Sequence, residues 1–199
     1  MRLYNSAVSG NCYKVRWLLS LLGHEFETVE LSVVDRSDRE QKLGGKTPFL
    51  RVPVLELDDG SCLPESNAIL CWLAEGSEYL PSDRTARARV MQWLFFEQNL
   101  HEPNIAVVRF WVAYAKSADE YPQPVEIRTA AGNAVLETMD RHLAENRWFA
   151  GENFTIADIA LYAYTHVAGE GGFDLRPLAK LRRWLADVAA RAGHITIDG

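Results

Sequence analysis

At 199 residues the chain has room for one large domain or two small ones. With 48% hydrophobic and 24% charged residues it has the composition of a soluble globular protein, and a formal net charge of -6 disfavours nucleic acid and anionic membranes as partners. No apolar run approaches the ~20 residues that span a bilayer, and Cys12, Cys62 and Cys71 are spaced for neither a zinc site nor a CxxC redox pair. Reduced thiols in a cytoplasmic protein are the expectation.

The opening Met1-Arg2-Leu3-Tyr4 reads as a strand rather than a signal peptide. Val15, Leu18, Leu19 and Leu22 then recur at helical spacing, and Gly23 supplies the stop. Residues 26–31 alternate as a second strand, and residues 36–45 are polar, with a short irregular helix as the expectation. Val54-Leu55-Glu56-Leu57, Asp58-Asp59-Gly60 and Ser61-Cys62-Leu63 spell a β-hairpin. Residues 68–74 return to a helix with Ile69, Trp72 and Leu73 on one face. The order β-α-β-(α)-β-β-α predicts a small mixed α/β sheet.

The chain changes character near residue 80. Residues 1–77 are assigned to the strand-led domain, 78–84 to a linker containing Pro81, and 85–199 to an all-helical domain. Residues 85–116 predict one long helical tract kinked at Pro103. Residues 125–143 predict a helix through Val135, Leu136, Met139 and Leu143, and Leu178, Leu181, Leu185 and Val188 mark another. Between them, Thr155 is placed as an N-cap with Asp158 reaching back in a capping box and Phe154 and Ile159 at the staple positions. That motif predicts a folding role rather than a catalytic one.

Three short stretches carry possible chemistry. Ser9-Gly10-Asn11-Cys12 enters the first helix, where a helix N-terminus favours anions and lowers thiol pKa values. Ser9 and Asn11 can donate hydrogen bonds to a sulfur, Cys12 can itself be the reactive thiol, or Ser9 or Asn11 can merely cap the helix. Pro53 lacks an N–H and stands at the start of an expected central strand, where a cis bond would leave the Val52 backbone open to an extended ligand. Glu65-Ser66 lies at the mouth of a helix, whose unpaired N–H groups suit a carboxylate while Glu65 suits an ammonium. Such a clamp fits an amino-acid head group.

Taken together, Ser9-Gly10-Asn11-Cys12, Val52-Pro53-Val54-Leu55, Pro64-Glu65-Ser66-Asn67-Ala68-Ile69 and Phe154-Thr155-Ile156-Ala157-Asp158 resemble the cytosolic glutathione S-transferase superfamily. The resemblance covers nearly the whole chain and is nearest to bacterial serine-type members of the theta-, zeta- and Nu-like groups. It implies a thioredoxin-like N-terminal domain that holds glutathione and a C-terminal helical bundle that shapes a second-substrate pocket. By matching positions, Ser9 is implied as the catalytic residue that stabilises the glutathione thiolate, with Asn11 in support. Val52, before Pro53, would pair its backbone with the cysteinyl part, Glu65 and Ser66 would hold the γ-glutamyl end, and Arg51 falls near the glycyl end.

The reaction so implied is thiolate attack on a small hydrophobic electrophile, a detoxification chemistry, by a cytoplasmic homodimer. Glutathione is then a co-substrate, and neither a metal nor a bound cofactor is required. His101, Arg109 and Tyr114 are candidates for the second pocket, against the alternative that this tract is packing; Trp93, Phe95 and Phe96 read as packing or dimer contacts. The segment before Val52 is shorter than in relatives, which weakens the assignment of Lys46 and Arg51. Two other functions remain open: a glutathione-dependent disulfide reductase or thiol transferase with Cys12 as an alternative thiol, and a non-catalytic binding protein on the same scaffold.

Overall fold

A computed structural model describes residues 1–198 as two compact units. The first comprises Met1–Glu75 together with residues 193–198, and the second is Gly76–Ala192. The last segment therefore belongs with the strands, not with the helices as the sequence suggested. Side chains of the first helix hold it there: Trp17 Nε1 donates to the Gly193 carbonyl at 3.0 Å and Tyr13 Oη to that of Ile195 at 2.8 Å. The Arg16 guanidinium donates to the Ile197 carbonyl and to Asn5 Oδ1. A segment too short and polar to show periodicity can be placed only by such donors.

In the first unit, β1 (Arg2–Asn5), β2 (Glu27–Glu30), β3 (Val54–Glu56) and β4 (Cys62–Pro64) form one sheet in the order β2-β1-β3-β4. β1 runs parallel to β2, with Leu3 opposite Thr28, and antiparallel to β3, with Leu3 opposite Leu55. Between β1 and β2 runs α1 (Gly10–Leu21), and Gly23 just beyond it adopts φ +70°, which suits a residue without Cβ. α1 buries Val15, Trp17, Leu18 and Leu19 and packs against α3 (Ser66–Leu73). α2 (Arg39–Leu43) contributes Leu43 to a cluster with Tyr4, Leu31 and Val54. This is the small mixed sheet that the order of elements predicted, in the thioredoxin-like arrangement that the resemblance implied.

The second unit is helical: α4 (Arg84–Phe96), α5 (Glu102–Arg109), α6 (Pro122–His142), α7 (Ile156–Thr165) and α8 (Ala179–Ala189). Every residue of α7 is buried, so this helix forms the core of the unit. The long tract expected over residues 85–116 is instead divided by two π-helical turns, Glu97–His101 and Phe110–Tyr114. Pro103 explains the first. It has no N–H for the carbonyl four residues back, and next to it the Glu102 N–H reaches the Glu97 carbonyl, five back. The Asn104 amide donates to the Leu100 carbonyl at 2.7 Å. No helix of the described residues is long and apolar enough to cross a membrane.

Gly132 marks the tightest approach in the helical unit. A Cβ there would lie 2.6 Å from Phe173 Cε1 and 2.9 Å from its Cζ, and Phe173 is itself buried. Gly-to-Ala normally stabilises a helix interior by about 1 kcal/mol. Gly132→Ala is expected instead to destabilise by about 1–3 kcal/mol through overpacking, read as a lower Tm in a thermal melt.

Candidate functional site

The site residues of the first unit gather at two helix starts. Ser9 is the N-cap of α1 with extended backbone (φ -82°, ψ 120°), and its Oγ accepts from the Cys12 N–H at 3.4 Å. A hydroxyl has one proton as well as its lone pairs, so a cap that uses a lone pair leaves the proton to donate. Capping and sulfur stabilisation are therefore compatible roles for Ser9. Val52-Pro53 is a cis peptide bond, with Val52 half-buried and Pro53 buried at the start of β3.

Glu65 occupies the position before α3 with φ +72° and ψ 111°, in the left-handed region that a non-glycine residue rarely adopts. Such strain costs about 1–3 kcal/mol and persists where the surroundings impose it, often at ligand sites. Ser66 follows, buried at the first position of α3. Its hydroxyl donates to Asn11 Oδ1 at 3.0 Å, which joins the mouth of α3 to the start of α1. The first-turn N–H groups of α3 and the positive end of its dipole lie beside that bond, and such a helix start favours an anion.

Lys14 is a member of this cluster that the sequence reading missed. Its residue exposure is 0%, and Nζ donates to Asn11 Oδ1 at 2.7 Å and to Ser66 Oγ and Asn67 Oδ1 at 3.4 Å each. The available signal was a charged residue four positions before Leu18, on the buried stripe of α1.

Cys12 lies inside the first unit. It is fully buried, its Sγ accepts from the Ser6 N–H at 3.2 Å, and burial pushes its thiol up to about 11 against that opposing hydrogen bond. A thiol so raised carries little thiolate at neutral pH. Cys12→Ser is therefore expected to keep turnover within about twofold of wild type, and native Cys12 to resist alkylation by iodoacetamide. Activity lost in Cys12→Ser with the fold intact would return the thiol to consideration.

Arg51 is exposed. Lys46 is committed elsewhere: it pairs with Glu56 at 2.8 Å and lies 5.4 Å from the Tyr4 ring centroid, while the Tyr4 hydroxyl donates to Glu56 at 2.8 Å. Tyr4 is thus a core residue.

In the second unit, His101 is a correction to the list of second-pocket candidates. It is fully buried, with Nε2 2.8 Å from Thr165 Oγ1. Thr165 Oγ1 donates its proton to the Leu161 carbonyl at 2.6 Å, so it accepts from His101, whose Nε2 carries hydrogen. Arg109 is also buried, held by Glu170 at 2.9 Å and donating to Tyr114 Oη at 2.7 Å. Of the three, Tyr114 alone keeps partial exposure. Trp93 packs within the unit, its ring centroid 4.7 Å from that of Phe149, whereas Phe95 is 65% exposed.

Residues 3–79 match the N-terminal domain family of glutathione S-transferases, and residues 106–192 match the C-terminal domain family. The structure of a glutathione S-transferase from Pseudomonas fluorescens shares 43% identity and superposes with a TM-score of 0.94 over 98% of both chains. The chain belongs to the cytosolic glutathione S-transferase superfamily. It is also 30% identical to the glutathione S-transferase-like protein LUC7 of Fusarium sp over 83% of this chain and 78% of that protein. A Pseudomonas putida glutathione transferase with one glutathione disulfide bound per subunit is similar at 26% identity and a TM-score of 0.83, over 96% of this chain and 87% of the other. The protein is accordingly a glutathione transferase with a thioredoxin-like sheet domain and a helical domain.

Proposed function

We propose that this transferase conjugates glutathione to a small hydrophobic electrophile, with Ser9 as its catalytic residue. The observation that supports the reading is the Ser66–Asn11 hydrogen bond, which links the start of α1, just after Ser9, to the start of α3. Ser9 donates to the glutathione sulfur and Asn11 supports it. The Val52 backbone meets the cysteinyl part, Glu65 takes the γ-glutamyl ammonium, and Ser66 with the first turn of α3 takes the carboxylate. Arg51, exposed beside them, faces the glycyl end. The thiol proton passes to solvent, a carbon–sulfur bond forms, and the electrophile's leaving group departs with its electron pair.

In this reading the protein works in the cytoplasm, in detoxification, as a homodimer, for which exposed Phe95 and Leu100 offer apolar surface. A disulfide-reducing activity on glutathione disulfide or a mixed disulfide is the second reading, favoured by the disulfide bound in the Pseudomonas putida relative.

Calorimetric titration with glutathione, followed by turnover assays with an aryl halide and with a glutathione mixed disulfide, separates these readings. Glutathione binding with faster turnover of the halide is expected. No binding of glutathione overturns the proposal. Faster turnover of the disulfide shifts the function to the second reading, and binding without turnover of either substrate leaves a binding protein.

A further inference from the structure

The geometry points to Lys14 as a positioning residue of this glutathione site, one that governs recognition of the γ-glutamyl carboxylate rather than the thiol chemistry; the inference rests on the function proposed above. Three observations converge. Lys14 projects from α1, yet its Nζ reaches Ser66 and Asn67, the first two residues of α3, as well as Asn11. Ser66 Oγ gives its own proton to Asn11, so a lone pair of Ser66 faces the ammonium and the hydroxyl is held in one orientation. The ammonium is also fully buried, where a charge is screened far less than at a surface.

That charge lies beside the first turn of α3, where the orphan N–H groups and the helix dipole already favour an anion. It adds to the same potential and fixes the side chains that frame the site. A carboxylate bound to those N–H groups gains from it. A sulfur is positioned by Ser9, and Asn11 beside it keeps the hydrogen bond from Ser66 when Lys14 is removed. The consequence is a specificity rule: Lys14 discriminates ligands that present an α-carboxylate at the γ-glutamyl position from those that lack one.

The test compares glutathione with cysteinylglycine, which lacks the γ-glutamyl group, in wild type, Lys14→Met and Asn67→Ala. Loss of a charged donor should weaken glutathione binding by about tenfold in Lys14→Met, with KM raised and kcat within about twofold. The inhibition constant of cysteinylglycine should change by less than about twofold. Equal weakening of both ligands, a fall in kcat at constant KM, or unchanged glutathione affinity would overturn the role of Lys14. Asn67→Ala removes one acceptor at a partly exposed position and keeps the proposal testable if Lys14→Met does not fold. It should weaken glutathione by about threefold and spare cysteinylglycine, and any other pattern in a folded variant counts against the role. Wild type that fails to bind glutathione overturns the proposed function itself, whereas wild type and Lys14→Met binding it alike overturns only the assignment of Lys14.

Discussion

Ser9→Ala is expected to lower kcat/KM for conjugation by about 10²-fold, the size of losing one preorganised donor aimed at developing or resident charge. A free thiol near pKa 8.5 is only a few per cent thiolate at neutral pH. A hydroxyl donating to the sulfur enlarges that fraction. Without it the apparent pKa of the kcat/KM profile should move upward, towards that of free glutathione, and activity should recover at high pH. The same substitution removes the N-cap of α1, which costs about 1 kcal/mol and lowers Tm by a few degrees. The pH profile is what separates the roles, because a lost cap changes stability but leaves the profile in place. Ser9→Thr retains a hydroxyl and should keep much of both properties. Full activity in Ser9→Ala with an unshifted profile would remove Ser9 from catalysis.

Asp158→Ala is expected to be the most destabilising single substitution considered, by about 4 kcal/mol, since it strands several buried donors at once. The carboxylate accepts from the Phe149 N–H at 3.1 Å, the Thr155 N–H at 3.0 Å and the Trp184 indole at 3.1 Å, and Thr155 Oγ1 lies 3.3 Å away. It completes the capping box of α7 and at the same time ties that helix to α8 through Trp184. Urea denaturation should show a much lower midpoint, and a variant as stable as wild type would refute the account.

The pH dependence has a definite sign. Burial pushes the carboxyl of Asp158 up from 3.8 to about 6, against the opposing hydrogen bonds. Between those values the folded state holds a proton that the unfolded state releases, so this group's contribution to stability falls as pH rises from about 4 to 6 and is level above. In Asp158→Asn that slope is absent. The advantage of wild type over Asp158→Asn should therefore shrink across that range.

Much of the candidate site was legible in the sequence because its signals are local. Ser9 before a helical stripe, Val52-Pro53 before a strand and Glu65-Ser66 before a helix each announce themselves within a few residues, as does the capping box at Thr155 and Asp158. Cys12 shows the limit of such reading. Its place near a helix N-terminus suggested a lowered thiol pKa, but the residue turns inward and desolvation outweighs the favourable hydrogen bonds. His101 and Arg109 are similar cases: polar residues on a long helical tract, open to ligand by pattern, yet consumed by Thr165, Glu170 and Tyr114 in the fold.

By itself the sequence determined the order of strands and helices, the caps and turns, and the family, because each depends on residues close together in the chain. Only the tertiary structure decided which polar residues point inward. It placed Lys14, from α1, against Ser66 and Asn67, 52 and 53 positions away, and returned the segment after Gly193 to the sheet domain. It also resolved the Pro103 tract into π-turns. Those outcomes depend on burial and on hydrogen bonds between distant segments, where desolvation and available partners determine what a residue type alone cannot.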